Sequence, residues 1–351
     1  MPARLSPLLP WIAAILLIAT LAAFLKLSLF GTTVSSDYQE YLATAQAFAG
    51  EPGFEVAHNR ILKPLAPALV ALLGQGIGYH EAMLAQALFF YLALALATFF
   101  FAREYFQDER LAFLLTLMSA LSYPVLKYGV DVLTETGAWF FFVLSLWLTV
   151  RFLREPRPGL FLLNALVVAV GFLWKEYSIV GGAILGLATL FHPALSLKQK
   201  TLYALGGSAL FLLIHAPWQW YVYVTYGFTY LTWYGQNAGP GFAMEFTLKN
   251  VIKSTAAILG LAWLLVPRGL RHFSTLDTWR RRFLQVAALP PLVGYLWGYI
   301  SSRLLYVIAP PALLLAGLGL RTLPPRVQIA VTAFVVLANI AWLSLSYSIT
   351  L

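Results

Sequence analysis

The chain has 351 residues, 60% of them apolar and only 11% charged, with a formal charge of +9. About a quarter of a soluble domain is charged, so this composition excludes a sizeable soluble domain and implies a polytopic membrane protein that binds no nucleic acid. The absence of cysteine excludes disulfides, thiolate zinc sites and a thiol nucleophile.

The opening MPARLSPLLPW leads into an apolar run, 8–30, that is too long for a signal-peptide core and lacks a small-x-small cleavage site. It reads as a retained signal anchor. Further apolar runs fall near 81–102, 110–127, 133–152, 160–175, 177–191, 201–222, 249–266, 283–300, 304–320 and 327–348. Each is expected to be a helix, which gives an all-α transmembrane bundle of about eleven spans. The stretch 61–73, ILKPLAPALVALL, is ambiguous, with two prolines, a lysine near its start and GQGIG after it. Charge decides its place. With the N-terminus cytoplasmic and 61–73 lying at the interface, 15 of the 23 lysines and arginines fall on the cytoplasmic side and nine of the 14 acids on the outer side. If 61–73 crossed, PRGLRHFSTLDTWRRR would face outward, against the positive-inside rule. The expected protein is one membrane domain over 1–351. Its longer outer segments are 31–80, with amphipathic helices, and 223–248.

The polar motifs follow in order. In SSDYQEYLATAQAFAG (35–50), Asp37, Glu40, Tyr41 and Thr44 share one helix face. A capped helix start with acids near the positive end of the dipole accounts for an acid there. HNRILKP (58–64) adds His58, Arg60 and Lys63, which suit an anion at the membrane surface, such as a lipid phosphate; snorkelling to headgroups is the plainer alternative. DVLTETGAW (131–139) places Asp131 and Glu135 at i, i+4, a second outward acidic pair. Such a pair needs a cation or a basic side chain between its members, and Lys127 and Arg60 are candidates; the plainer reading is a solvated helix cap. FLWKEYS (172–178) puts Lys175 and Glu176 in a tight turn between two apolar runs. YISSRLLYVIAPP (299–311) sets Arg303 between two runs, near Tyr299 and Tyr306. Arg303 is either an interfacial arginine with its aromatic belt or a two-point phosphate clamp. The Tyr-, Trp- and Gly-rich loop 223–248 reads mainly as an aromatic belt, and His215 as a satisfied packing residue. No GxSxG, HExxH, P-loop or metal-spaced histidine cluster is present.

In this order the motifs resemble the GT-C membrane glycosyltransferases, which include protein O-mannosyltransferases and the aminoarabinose transferases of lipid A. Asp37-x3-Tyr41-x8-Gly50 resembles their first outer loop, and RILKPLAPALVALLG the Pro-containing amphipathic helix that ends it. DVLTETGAWFFFVLSLWL resembles their acidic entry to span four, WKEYS a later basic-acidic turn, and SRLLYVIAPPALLLAGLGL their Arg-Tyr-Pro entry to a late span. The first motif departs from many relatives, which have a tighter Asp-Glu pair. The resemblance implies transfer of a sugar from a polyprenyl-phosphate lipid to a glycan, lipid or protein acceptor at the outer face of the inner (plasma) membrane. It implies Asp37 as the base of an inverting displacement, with Glu40, Asp131 and Glu135 as further catalytic acids. Arg60, Lys63 and Arg303 are expected on the phosphate, and Tyr41, His58, Lys175, Glu176 and Tyr306 on substrate, with Glu135 or Glu176 orienting the acceptor. Asp37 with Asp131 is the candidate for a Mg²⁺ or Mn²⁺ site. The rival readings are a transporter or flippase of a lipid-linked precursor and a non-catalytic partner in envelope polysaccharide assembly. The first needs charge deep in the bilayer, and the second would tolerate loss of every outer acid.

Overall fold

The structure, a computed structural model, describes residues 7–237, 247–295 and 300–348. The start of the N-terminal motif, residues 238–246 of the 223–248 loop and Tyr299 lie outside the described residues. Every regular element among the described residues is helical.

Among the described residues, six apolar stretches are long enough to cross a membrane. These are α1 (Leu9–Phe30), α5 (Tyr79–Phe106), α7 (Glu135–Arg154), α10 (Leu197–Tyr226), the broken helix α12–α13 (Leu248–Leu259 and Val266–Arg271) and α16 (Pro325–Ser348). In lipid an apolar segment has no water for its amides, so it closes its hydrogen bonds within itself as a helix. Four other apolar runs form shorter helices: α6 (Glu109–Ala120), α8 (Pro158–Trp174), α9 (Tyr177–Leu190) and α15 (Ala309–Arg321); the run 283–300 does not form one helix over its described part, which holds the end of α14 (Thr278–Val286) and a 3-10 turn over Pro290–Tyr295. The segment between α1 and α5 holds α2 (Ser36–Phe48), α3 (His58–Ile61) and α4 (Leu65–Ile77), and α11 (Tyr230–Asn237) follows α10.

The chain leaves and re-enters the bundle at one end between α1 and α5. Gly78, at φ +92°, stops α4 and starts α5 at once, a turn that only glycine makes cheaply. The Tyr38 hydroxyl of α2 shares a 2.8 Å hydrogen bond with His80 Nδ1 of α5. Tyr79 donates to Glu51 at 3.0 Å. The two contacts hold the start of α5 beside the segment that follows α1.

That end also carries the start of α7, the α8–α9 turn and the loop before α15. The opposite end carries Glu104 paired with Arg154, Arg110 on the Pro325 carbonyl, and Arg280 donating to the Tyr105 carbonyl at 2.6 Å. The main buried core, with Tyr91, Phe99, Phe101, Trp139, Phe142 and Tyr306 among its largest members, joins most of the helices, and smaller clusters pack α10 against its neighbours. In the later half the backbones of α13 and α15 touch: a Cβ at Gly269 would lie 1.8 Å from the Leu315 carbonyl oxygen. Small residues at that crossing permit the approach and anchor the helix that follows Arg303.

Candidate active site

Ser35 Oγ accepts from the Tyr38 amide at 3.2 Å and starts α2, so Asp37 falls in its first turn. Tyr41 and Thr44 turn inward and are buried. Thr44 Oγ1 accepts from the Ala57 amide at 3.1 Å, which draws the chain back across the helix and delivers α3. Arg60 then donates from Nη2 to Asp37 Oδ1 at 2.6 Å and from Nε to Glu40 Oε2 at 2.9 Å. Its guanidinium lies 4.4 Å from the centre of the Tyr41 ring, a stacked cation–π position.

The second oxygen of Asp37 accepts from Arg303 Nη1 at 2.7 Å, and the same nitrogen lies 3.4 Å from Glu135 Oε1. Glu135, 1% exposed, accepts from Lys175 Nζ at 2.7 Å. Beside this chain Lys63 pairs with Glu176, whose Oε1 also accepts from the Tyr234 hydroxyl at 2.7 Å. Four carboxylates thus face four cations, contributed by separate segments of the chain.

The electrostatics follow from these contacts. Burial alone would raise the Asp37 carboxyl, but Arg60, Arg303 and Lys175 override it and hold it at about 2. Burial would likewise raise Glu176, and Lys63 brings it down to about 2. Burial opposes the charge on Lys63 and Lys175 as well, yet Glu176 and Glu135 raise them above the ordinary lysine range. A carboxylate depressed in the folded state stabilises it above the unfolded pKa, and that stability is lost as pH falls through the folded value. For Glu176 the window runs from about 4.5, its unperturbed value, down to about 2. Thermal melts should therefore show stability declining below about pH 4.5, with a shallower decline in Glu176→Gln; parallel curves for the two proteins would count against the Lys63–Glu176 pair.

Several expected site residues stand elsewhere. His58 is exposed and packs on Phe228, ring centres 5.0 Å apart, with no tie to the charge network. Tyr306 is buried beneath the site: it stacks on Trp139 at 4.3 Å, and its hydroxyl lies 3.2 Å from Ser119 Oγ. Trp139 Nε1 donates to the Arg303 carbonyl at 3.3 Å, so this stack supports the arginine from below.

The expected Asp131–Glu135 pair is corrected. A π turn over Val125–Gly129 and a non-helical stretch precede α7, which begins only at Glu135, so the two acids do not share a helix face. Asp131 turns toward Lys26 and the Thr33 amide, while Glu135 faces Lys175 and Arg303. Neither Lys127 nor Arg60 lies between them: Lys127 sits among the rings of Tyr123, Tyr128 and Tyr347, 5.4 to 5.8 Å from their centres. Asp37 pairs with Arg60 and Arg303, and Asp131 with Lys26 and the amides of Thr33 and Val132. Among the described residues no group of three or more His, Asp or Glu side chains is placed to hold a metal ion.

Sequence reasoning passed over Lys26, Asn59, Trp139 and Tyr234. Lys26 had a signal, as the single charge in the first apolar run. Asn59, which donates to Glu40 Oε2 at 3.0 Å, had none beyond its place beside Arg60.

An apolar cleft of about 840 Å³ opens beside Pro64, next to Lys63. Phe48 of α2, Leu65, Ala68 and Leu72 of α4, and Pro217 and Trp218 of α10 form its walls. Trp218 Nε1 donates to the Ile61 carbonyl at 2.7 Å, which ties this wall to the segment that carries Arg60 and Lys63.

Residues 62–221 match the family model described as dolichyl-phosphate-mannose-protein mannosyltransferase. That segment contains Lys63, Glu135, Lys175 and Glu176; Asp37 and Arg303 lie outside it. No curated protein sequence matches the chain. Among solved structures, the crystal structure of ArnT from Cupriavidus metallidurans bound to undecaprenyl phosphate superposes with a TM-score of 0.65 at 19% identity, over 93% of this chain and 63% of that one. The apo state of ArnT gives 0.65 and 19%, over 90% and 60%. The chain therefore spans somewhat less than two thirds of the length of ArnT. The chain is thus a multi-pass membrane protein that shares the fold of ArnT and resembles the mannosyltransferase family model over residues 62–221.

Proposed function

We propose that the chain transfers a sugar from a polyprenyl-phosphate lipid to an acceptor hydroxyl at the outer face of the inner (plasma) membrane, with inversion at the anomeric carbon and Asp37 as base. One observation carries this reading: a carboxylate held between two arginines stands in one polar cluster with Lys63, whose chain neighbour Pro64 lines an apolar cleft. That is the set of groups a lipid phosphate, its hydrocarbon chain and a proton acceptor require. The homologous fold of ArnT was solved with undecaprenyl phosphate bound, which supports a polyprenyl carrier. The arginine-rich end opposite the site supports an outward active face under the positive-inside rule.

In this reading the isoprenoid chain lies in the cleft and its phosphate takes Glu176's place on Lys63. Asp37 accepts the proton of the acceptor hydroxyl as its oxygen forms the new bond to the anomeric carbon. The bond from that carbon to the phosphate oxygen breaks on the opposite side, and the lipid phosphate leaves with the bonding electrons. Lys63, Arg60 and Arg303 stabilise its growing charge. The same shift raises the basicity of Asp37: an arginine that turns toward the phosphate relaxes its hold on the carboxylate.

The test is transfer by the purified protein in lipid nanodiscs. Radiolabelled mannosyl-, glucosyl-, galactosyl- and arabinosyl-phosphoryl undecaprenols are supplied with a crude envelope acceptor extract. Label is expected to move from at least one donor. A charged hydrogen bond of about 1.5–3 kcal/mol predicts that Lys63→Ala raises the donor KM about tenfold to a hundredfold. No transfer from any donor by the wild-type protein would overturn the reading.

A further inference from the structure

We propose that Asp131, held by Lys26, is a positioning residue: it clamps the linker between α1 and α2 and so fixes where Asp37 stands. The inference rests on Asp37 being the base. Its ground is a buried cluster that the transfer step does not use.

Lys26 and Asp131 are 1% and 2% exposed. Asp131 Oδ1 accepts from the Thr33 amide at 2.8 Å and from its neighbour Val132 at 2.8 Å, while Oδ2 lies 3.5 Å from Lys26 Nζ. Lys26 Nζ also donates to the Gly31 carbonyl at 2.8 Å. The linker 31–35 has no regular structure of its own, and α1 ends at Gly31 with φ +64°. Two side chains from different parts of the chain therefore grip its backbone at Gly31 and Thr33. Two residues after Thr33 comes the Ser35 cap, and two more bring Asp37. An extended residue spans at most about 3.6 Å, so so short a tether leaves the start of α2 little room to drift while Thr33 is held. The arginines that meet Asp37 come from other elements, so the geometry of the pair depends on where this tether puts the carboxylate.

A buried ion pair is weak ground for stability, because desolvation offsets its attraction; fixing one arrangement is a better-supported role. The cluster touches backbone amide and carbonyl groups of the linker, which is what fixing that arrangement requires.

The test compares two double variants, both free of the uncompensated charge a single change would bury. In K26M/D131N the asparagine Oδ1 still accepts from Thr33. In K26M/D131A it is gone. Hydrogen–deuterium exchange over 31–40 and transfer kinetics are measured on both in nanodiscs, with the donor the wild type uses. K26M/D131N loses the Gly31 grip but keeps the Thr33 bond, so it is expected to exchange within about threefold of wild type at Thr33 and the first turn of α2, and to stay within about threefold in kcat. K26M/D131A is expected to exchange at least tenfold faster at Thr33 and the first turn of α2. Its kcat should fall about tenfold to a hundredfold, the cost of a displacement near 1 Å, with donor KM unchanged. Thr33→Pro, which deletes the amide donor from the exposed linker and leaves the charge pair in place, should reproduce the faster exchange in the first turn of α2 and the loss of kcat if K26M/D131A fails to fold. Equal exchange in the two doubles would overturn the clamp, and a freed linker with unchanged kcat would overturn its positioning role. A wild-type protein that transfers no sugar would instead sink the proposed function, while the exchange data would still decide the clamp.

Discussion

Replacing Asp37 with Asn is expected to lower kcat by about two to four orders of magnitude, the contribution typical of a positioned general base, while donor binding is retained. The amide has the size of the carboxylate, so α2, with its Ser35 cap, keeps its place. Asn Oδ1 can still accept from one arginine, but the NH₂ group then faces the other guanidinium, where a charged bond is lost. The lipid phosphate keeps Lys63, so binding survives and chemistry fails. The pH dependence follows from the same contacts. With its carboxyl held at about 2, Asp37 is ionised across the neutral range, and kcat/KM of the free enzyme should show no acidic limb from this group above about pH 4. Any limb in kcat should lie higher, because the donor-bound site gives up part of the arginine charge. Glu40 is the internal control. Its carboxylate shares Arg60 but is 41% exposed, and Glu40→Gln should cost far less than Asp37→Asn. Lipid binding and single-turnover transfer separate these outcomes; full transfer by a normally folded Asp37→Asn protein would sink the base assignment.

Most members of the charge network are legible one at a time in the sequence. Asp37, Arg60, Lys63, Glu135, Lys175 and Arg303 each stand out because a charge is expensive beside a membrane span. Their pairing is not legible, since the partners lie up to 266 residues apart in the chain. The spacing of Asp131 and Glu135 misleads for a local reason: i, i+4 places two residues on one face only where a helix is present, and α7 begins at the second of them. Tyr306 misleads differently. An aromatic next to Arg303 fits an interfacial belt equally well, yet its ring is drawn under Trp139 and its hydroxyl to Ser119. Lys26 shows what a lone charge in an apolar run is for. It is too deeply buried to snorkel, and it finds its partners in Asp131 and the carbonyl of Gly31.

Glu135 and Lys175 lead to the largest expected effect on stability. Lys175→Met should destabilise the protein by about 3–5 kcal/mol, because among the described residues it leaves a buried carboxylate with Arg303 as its one remaining cation, at 3.4 Å. The double variant Glu135→Met with Lys175→Met removes both charges and fills similar volume. Buried pairs exchanged for apolar residues are often neutral or stabilising, so its melting temperature should return to within a few degrees of wild type. Transfer should not return. Arg303 loses its second anchor in the double variant, and the guanidinium that meets Asp37 Oδ2 is no longer fixed from both sides. Recovered stability without recovered activity would show that the pair is kept for the placement of Arg303 and not for the fold. A double variant that is both stable and active would remove Glu135 from the machinery, and one that melts as early as Lys175→Met alone would show that packing around residue 135, rather than its charge, sets the cost.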